Sequence, residues 1–105
     1  MWARFNQWEV PLDSIESAVD EVRTYLVDKA VPEVRQQPGY KGAYSFVNWE
    51  NGQGITISLW DSEVHLRASE ANAARQRKEG AERVGGTDSG MDRFEVIHVD
   101  DFDLP

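Results

Sequence analysis

Two stretches in the middle of the chain alternate between apolar and polar residues. One runs over residues 44–49 (YSFVNW) and the other over residues 55–60 (ITISLW). A period of two residues is typical of strands, since successive side chains point to opposite faces of a sheet. The segment between them, residues 50–54, contains two glycines that accept the positive φ angles of a tight turn. The pattern predicts a β-hairpin.

A strand and a helix are predicted before this hairpin. Trp2–Val10 alternates loosely and predicts a strand that Pro11 ends. Six apolar residues then recur at intervals of three or four and form one helical stripe: Ile15, Ala18, Val19, Val22, Leu26 and Ala30. Asp13 and Glu16 have the spacing of a capping box at the start of this helix. Pro32 should kink or interrupt it, because proline lacks the backbone N–H and clashes with the preceding turn.

A second helix and a fourth strand are predicted after the hairpin. Asp61 begins the helix, with Glu63 in a first turn that favours negative charge. The helix extends to about residue 78 and has a face of small residues, so it can approach a sheet closely. A glycine-rich loop over 85–90 then leads into a strand over Met91–Val99.

The order of these elements is βαββαβ. Two right-handed crossovers then give a four-stranded antiparallel sheet with both helices on one face, the ferredoxin-like arrangement of α+β proteins. The helices cover only one face of the sheet, yet the second strand carries bulky side chains on both: Tyr44, Phe46, Val47 and Trp49. An uncovered apolar face favours a second copy of the chain as its partner. We therefore expect a homodimer.

Composition narrows the classes of partner. The 105 residues predict a single domain over 1–105, with an acidic tail over 100–105. The net charge of −8 disfavours nucleic acid and anionic membranes as partners, because both attract basic surfaces. Without a cysteine or a long apolar run, the chain is expected to be cytoplasmic and to have no membrane span. Its two isolated histidines lack the spacing of metal ligands, so we expect no metal site.

The segment over residues 38–70, PGYKGAYSFVNWENGQGITISLWDSEVHLRASE, carries a more specific signal. A Pro-Gly-aromatic step ends the first helix, and a glycine-rich hairpin follows. The third strand ends in a Leu-Trp-acid-Ser-Glu pattern at Leu59–Glu63. These features resemble the antibiotic-biosynthesis-monooxygenase-like proteins of the dimeric α+β barrel superfamily.

This resemblance implies a homodimer whose two sheets face each other as a barrel, with a cavity in each subunit between helices and sheet. It also implies oxidation of an aromatic substrate by O₂ without a cofactor, or, in another branch, oxidative cleavage of haem. The haem-degrading branch is similar in having an Asn on the first strand, here Asn6. It also requires a Trp and a His in the second helix, where this chain has Ser69 and Glu79. We therefore expect neither haem degradation nor a cofactor.

Strand parity and the resemblance together give candidate cavity residues. Asn6 and Trp8 share one face of the first strand, and Tyr44 and Asn48 share one face of the second. If the helix-facing side carries Asn6 and Trp60, these residues would line a small-molecule site. Asn6 and Asn48 are candidates to stabilise a phenolate or enolate oxygen, while Trp8, Tyr44 and Trp60 are candidates to stack on the ring. The alternative for the asparagines is a solvated position at a strand edge.

Two further candidates lie in the predicted second helix. His65 is a candidate general base, since imidazole titrates near neutral pH. The alternative is an exposed histidine in the first turns of a helix. Arg67 is a candidate to pair with an anionic substrate, and the alternative is an ion pair on the helix surface.

Two function hypotheses follow from these residues. The first is a cofactor-independent monooxygenase-like enzyme that oxidises an aromatic or polyketide-like small molecule with O₂. In it, His65 or a water held by Asn6 assists deprotonation of the substrate. The second is a non-catalytic dimeric protein that binds a small molecule on the same scaffold. An open, polar-lined cavity would favour a ligand site, and a cavity filled by the protein's own Trp and Tyr side chains would favour the second hypothesis.

Overall fold

The structure is a computed structural model that describes residues 1–100. Four strands and four α-helices follow one another along residues 1–100: β1 (Trp2–Glu9), α1 (Ile15–Tyr25), α2 (Val31–Val34), β2 (Tyr40–Val47), β3 (Gln53–Trp60), α3 (Glu63–Ala68), α4 (Glu70–Val84) and β4 (Thr87–Glu95). The acidic tail expected over 100–105 lies, from residue 101 onward, outside the described residues. Within residues 1–100, no helix is long and apolar enough to span a membrane.

The sheet has four strands in the order β2-β3-β1-β4, and each neighbouring pair is antiparallel. The predicted ferredoxin-like βαββαβ fold is therefore confirmed. In the register, Phe5 lies opposite Ile57 on β3 and opposite Asp92 on β4, while Tyr44 lies opposite Ile57 from the other side. One irregularity between Gln7 and Trp8 shifts the pairing of β1 with β4.

The first helical region differs from the prediction at its start and agrees with it near Pro32. Ser14 is the N-cap of α1 and makes no capping bond with its side chain, while Asp13 lies in a preceding 3₁₀ turn. The expected capping box is therefore wrong. The interruption expected at Pro32 takes the form of a π-helical turn over Leu26–Ala30, in which Val31 N–H donates to Leu26 O five residues earlier. The wider turn places Pro32 in the first turn of α2, where its missing N–H costs little.

The second helical region begins as its sequence indicates but runs further. Ser62, rather than Asp61, is the N-cap, and its Oγ accepts from His65 N–H at 3.2 Å. Ser69 separates α3 from α4, which continues to Val84 and ends at Gly85 in the left-handed region. A glycine there is favoured because a positive φ of 67° is strained for other residues.

The fourth strand was predicted four residues too late at each end. It spans Thr87–Glu95 rather than Met91–Val99, and most of the expected glycine-rich loop belongs to the strand. Thr87 lies opposite Glu9 and Glu95 opposite Trp2, so β4 pairs with β1 over its whole length. Backbone pairing with the central strand β1 outweighs the low strand propensity of Asp88, Ser89 and Gly90. Strand propensity depends strongly on context and is weaker than the hydrogen bonding of a strand pair.

The helices cover one face of the sheet and leave the opposite face exposed. The helix-facing side carries the core, in which Trp60 and Leu66 have no exposed surface. The opposite side carries an apolar row across the strands, which we call the open face: Phe5, Tyr44, Phe46, Ile55, Ile57, Leu59 and Phe94. Phe46 is 53% exposed and Phe94 50% exposed within the described residues. The open face is the surface that the sequence predicts a second subunit to cover.

Candidate functional site

A cavity of about 150 Å³ lies between the inner face of the sheet and the helices. Its sheet wall comes from alternate residues of the strands: Arg4, Asn6, Trp8, Tyr40, Ala43, Thr56 and Ser58. Its helix wall comes from α1, the π-helical turn, α2 and α4: Val22, Tyr25, Leu26, Val31, Val34, Asn72, Ala73, Gln76 and Arg77. The surface is mostly apolar with a few polar groups, the usual composition of a small-molecule site. The residues before β4, with Asp88, close one end.

Trp8 forms one wall of the cavity and is held by two features of β3. Its Nε1–H donates to Thr56 Oγ1 at 3.0 Å. Its ring lies over Gly54, where an added Cβ would come within 2.2 Å of the ring carbons. A glycine at this position of the hairpin is therefore required for the indole to lie flat against the strand. The hairpin sequence thus shapes the site as well as the turn.

Tyr25 forms the facing wall from the end of α1. Its hydroxyl donates toward Glu79 Oε2 at 3.1 Å and Gln76 O at 3.2 Å on α4. Burial of the ring and this bond to Glu79 raise the pKa of Tyr25 to about 12. The phenol therefore stays protonated at neutral pH and serves as a hydrogen-bond donor rather than a base.

Three polar residues meet at the β4 end of the cavity. Arg77 Nε donates to Asp88 Oδ2 at 3.3 Å. With its amide nitrogen turned toward these acceptors, Asn6 donates to Asp88 Oδ1 and Gly90 O, each at 3.0 Å. Arg77 Nη1 is buried with no hydrogen-bond partner among residues 1–100. The arrangement places a carboxylate and a guanidinium with spare hydrogen-bonding capacity beside an aromatic wall.

Arg4 lies in the same cavity wall and is 4% exposed. Its Nη2 donates to Leu66 O and Ser69 Oγ, each at 2.7 Å, and its guanidinium lies 5.6 Å from the centre of the Trp60 ring. Burial lowers the pKa of Arg4 to about 10, so the group remains charged at neutral pH. Its Nε has no partner within the described part of the chain.

Of the residues predicted from sequence, Asn6 and Trp8 line the cavity. Trp60 faces the helices as expected but lies behind the cavity wall, fully buried, with Tyr40 packed edge-on at 5.7 Å between ring centres. Its indole N–H donates to Ser58 Oγ at 2.9 Å. The predicted stacking of Trp60 on a substrate ring is therefore corrected to a packing role, because no surface of the indole is free.

Tyr44 and Asn48 lie away from the cavity, which corrects their predicted placement. Tyr44 is on the open face, where its ring stacks on Phe46 at 6.3 Å. Asn48 lies in the hairpin turn, and its Oδ1 accepts from Glu50 N–H at 2.9 Å. The residues of β2 that line the cavity are Tyr40 and Ala43. Small side chains on the inner face leave the space that the cavity occupies.

His65 and Arg67 also lie outside the cavity. His65 Nδ1 is 2.6 Å from Asp61 Oδ1 at the start of α3, in an exposed pair. Hydrogen bonding to His65 is the main cause that lowers the pKa of Asp61. Arg67 bonds Glu63 on the helix surface at 3.1 Å. Both residues therefore match the alternatives given for them above, an exposed histidine and an ion pair on the helix surface. The reason is that they lie on the solvent-exposed side of α3.

The residues that the sequence did not single out are Tyr25, Arg77 and Asp88. Asp88 falls within the glycine-rich loop that the sequence predicts over 85–90. The association of these residues depends on the early start of β4, which places Asp88 opposite Trp8. No sequence spacing signals this contact. Within residues 1–100, no group of three or more His, Cys, Asp or Glu side chains is arranged to hold a metal ion.

No model of a known protein family matches the chain, and no curated protein matches it by sequence. Several solved structures match its fold along nearly the whole length. A dimeric ferredoxin-like protein from an uncultured marine organism aligns with a TM-score of 0.68 and 13% identity, covering 93% of this chain and 96% of that one. The ferredoxin-like class of α+β proteins is thus shown by topology and by comparison.

Two further matches are to solved monooxygenases. A monooxygenase from the ActVA-Orf6 gene of Streptomyces coelicolor, solved with the ligand nanaomycin D, aligns with a TM-score of 0.68 and 14% identity over 99% of this chain and 91% of its own. A crystal structure of an antibiotic biosynthesis monooxygenase aligns with a TM-score of 0.60 and 18% identity over 93% of this chain and all of its own. The chain has the fold of the antibiotic biosynthesis monooxygenases, which confirms the predicted resemblance at the level of the fold.

Proposed function

We propose that this protein is a cofactor-independent monooxygenase-like enzyme that oxidises an aromatic small molecule, of phenolic or polyketide-like type, with O₂. The observation that carries the proposal is the cavity between sheet and helices, with Trp8 and Tyr25 as aromatic walls and Asn6 and Asp88 as polar groups. The fold shared with solved monooxygenases supports this reaction class by analogy, since one fold hosts many functions.

The reaction begins with removal of a proton from an electron-rich phenol or its enol tautomer. His65 lies outside the cavity, so we assign proton acceptance to Asp88, which Asn6 and Arg77 hold in place. The resulting anion transfers one electron to O₂, and the two radicals combine into a peroxide anion at a ring carbon that still bears a hydrogen. This anion takes back the proton from Asp88 and becomes a hydroperoxide. Loss of water then leaves a carbonyl at that carbon. One oxygen atom enters the product and the other leaves as water, with the substrate supplying all the electrons.

The mostly apolar lining lowers the polarity of the surroundings of the reacting anion. Electrostatic interactions are stronger in such an environment, so a few fixed donors stabilise the anion more than they would in solution. The Tyr25 hydroxyl already donates its hydrogen to Glu79, so Arg77, which lines the same cavity, is the donor in this role. These groups are all positioned before any substrate arrives.

Oxygen dependence tests the proposal. The protein is incubated with electron-rich phenols of one to three rings, including anthrone-type compounds, in air and under nitrogen, and O₂ uptake and product mass are measured. The expected result is a product heavier by 14 Da, formed only in air, since one oxygen replaces two hydrogens. Asn6→Ala should reduce the rate, whereas Asn48→Ala, in the hairpin turn, is the matched control. An absence of O₂-dependent product across the panel would overturn the proposal.

The second candidate is a non-catalytic protein that binds a small molecule in the same cavity. It is favoured by the placement of His65, the predicted general base, on the helix surface. The cavity is not filled by the protein's own Trp side chains, which supports a ligand for either function. Saturable binding without O₂ uptake would favour this candidate.

We also propose that the functional unit is a homodimer joined through the open face. Its row of exposed aromatic and aliphatic side chains would otherwise meet water, and a two-fold axis covers both copies at once. The dimeric state named for one structural neighbour supports this arrangement. A dimeric α+β barrel is the result of such pairing.

A further inference from the structure

The cavity wall carries guanidinium groups although the chain as a whole has a net charge of −8. Arg4 and Arg77 both line it, from β1 and from α4. Arg93, on β4 opposite Arg4, lies close to them and forms an ion pair with Glu70. Cationic side chains turned inward in an acidic protein need a reason, because burial of charge is costly.

The positive charges of these arginines are only partly balanced by nearby carboxylates. Burial is the main cause of the lowered pKa of Arg4, and the positive charges of Arg77 and Arg93 lower it further, while Glu70 acts in the opposite direction. Arg77 has the Asp88 carboxylate as its partner through Nε. Arg4 Nε and Arg77 Nη1 are buried and unpartnered within residues 1–100. Unsatisfied donors of this kind are rare in native proteins, and each one calls for an explanation.

The remaining walls indicate what a group bound by these donors would be attached to. Trp8 and Tyr25 offer aromatic surface, and aliphatic residues from α1 and α2 complete the lining. The volume of about 150 Å³ matches the space that a benzene ring occupies in a protein interior. The cavity therefore has room for at least one aromatic ring beside the guanidinium groups.

We propose that the cavity binds a single-ring aromatic carboxylate, with the ring against Trp8 and the carboxylate paired with the guanidinium of Arg77. Arg4, on β1, adds a second positive charge to the cavity wall, and this charge also favours a bound carboxylate. Arginine suits this role because its planar group offers two parallel donors to a carboxylate. The inference rests on the proposed function only in taking this cavity as the ligand site.

A matched pair of probes tests the inference on the unaltered protein. Benzoate and benzamide have nearly the same shape, and only benzoate carries a charge. Their dissociation constants are measured by calorimetric titration under nitrogen, so that no oxidation contributes. We expect benzoate to bind about tenfold or more tightly than benzamide, the range of a charge-assisted hydrogen bond. Equal affinity for the two probes, or no binding of benzoate at millimolar concentration, overturns the inference.

Two variants test whether Arg77 is the residue that pairs with the carboxylate. Arg77→Met removes the guanidinium and keeps much of the side-chain volume, and it should reduce benzoate affinity about tenfold or more while leaving benzamide affinity unchanged. Arg67→Met makes the same change in net charge on the surface of α3, outside the cavity, and should leave both affinities unchanged. Equal effects of the two variants would show a general charge effect and would also overturn the inference. Should Arg77→Met fail to fold, the comparison of probes on the unaltered protein decides alone.

Failure of this inference and failure of the proposed function give different results. Benzoate binding without any O₂-dependent product would support the carboxylate site and overturn the proposed oxidation. If uncharged phenols give a product while benzoate and benzamide bind equally, the proposed oxidation is supported and the carboxylate site is overturned.

Discussion

Arg4 on β1 donates a hydrogen bond to Ser69 Oγ at 2.7 Å, across the interior of the subunit. Ser69 is the residue that separates α3 from α4, and the same Arg4 nitrogen also donates to Leu66 O at the end of α3. A strand side chain thereby holds the point where α3 ends and α4 begins. Because α4 carries Arg77 and Gln76, this contact also sets the helix wall of the cavity.

Replacing Arg4 tests the importance of this contact. Arg4→Met should reduce the free energy of unfolding by about 1–3 kcal/mol, because two charge-assisted hydrogen bonds are lost and a buried acceptor loses a donor. Urea denaturation followed by circular dichroism measures the change. Ser69→Ala, which removes one of the two acceptors, should cost less than Arg4→Met. A rise in stability for Arg4→Met would mean that the desolvation cost of the guanidinium exceeds its bonds.

Trp60 is predicted to be a core residue rather than a ligand contact. Trp60→Ala should cost about 3–5 kcal/mol of unfolding free energy, as for other fully buried aromatic residues. Thermal and urea denaturation measure it. Trp49 is 49% exposed, so Trp49→Ala serves as the comparison and should change stability far less. A melting curve for Trp60→Ala that barely moves contradicts the packing role.

Gly54 is predicted to be required for the position of Trp8. In Gly54→Ala the new Cβ would lie 2.2 Å from the indole, so the ring must move, at a cost of about 1–3 kcal/mol. Near-ultraviolet circular dichroism reports the altered indole environment. Gly80→Ala is the control: its Cβ would meet the Tyr25 ring at 3.5 Å, an ordinary contact.

Because Gly80 lies inside α4, the control should raise stability by about 0.5–1 kcal/mol through helix propensity. Opposite signs for the two glycine substitutions are therefore expected. A Gly54→Ala variant with unchanged stability and an unchanged indole signal would show that Trp8 is not held by β3.

Ionisation of Tyr25 should make stability depend on pH in the alkaline range. Its folded-state pKa of about 12 lies above the ordinary value of 10.0, so the stabilisation is complete below about pH 10 and is lost as pH rises toward 12. Tyrosinate absorbance and unfolding free energy, measured together, follow the transition. Tyr25→Phe should remove this part of the pH dependence, and an identical alkaline profile for the variant contradicts the assignment.

The homodimer proposal predicts a mass near twice the 11.9 kDa of one chain in light scattering at micromolar concentration. Phe46→Lys places a charge on the open face and should shift the mass toward the monomer, since an obligate interface of this kind commonly buries more than ~2,000 Å². Val64→Lys, at a position 74% exposed on α3, is the matched control and should leave the mass unchanged. A folded monomer for the unaltered chain contradicts the proposal.

The sequence by itself determined the order and type of the elements. Alternation over 44–49 and 55–60, with glycines between them, defined the β2–β3 hairpin, because these signals are local. The same holds for the start of α3 after β3, where the serine cap is the residue next to the one expected. Alternation also established correctly that Asn6 and Trp8 share a face.

Tertiary structure decided which face is inward and which distant residues meet. Period-two alternation places Tyr44 and Ala43 on opposite sides, yet only packing against the helices makes Ala43 the inner residue. The contact of Arg77 with Asp88 depends on how far β4 pairs with β1, which no local propensity specifies. The fold could therefore be predicted from the chain, whereas most of the site could not, because its contacts form only after the sheet and helices are assembled.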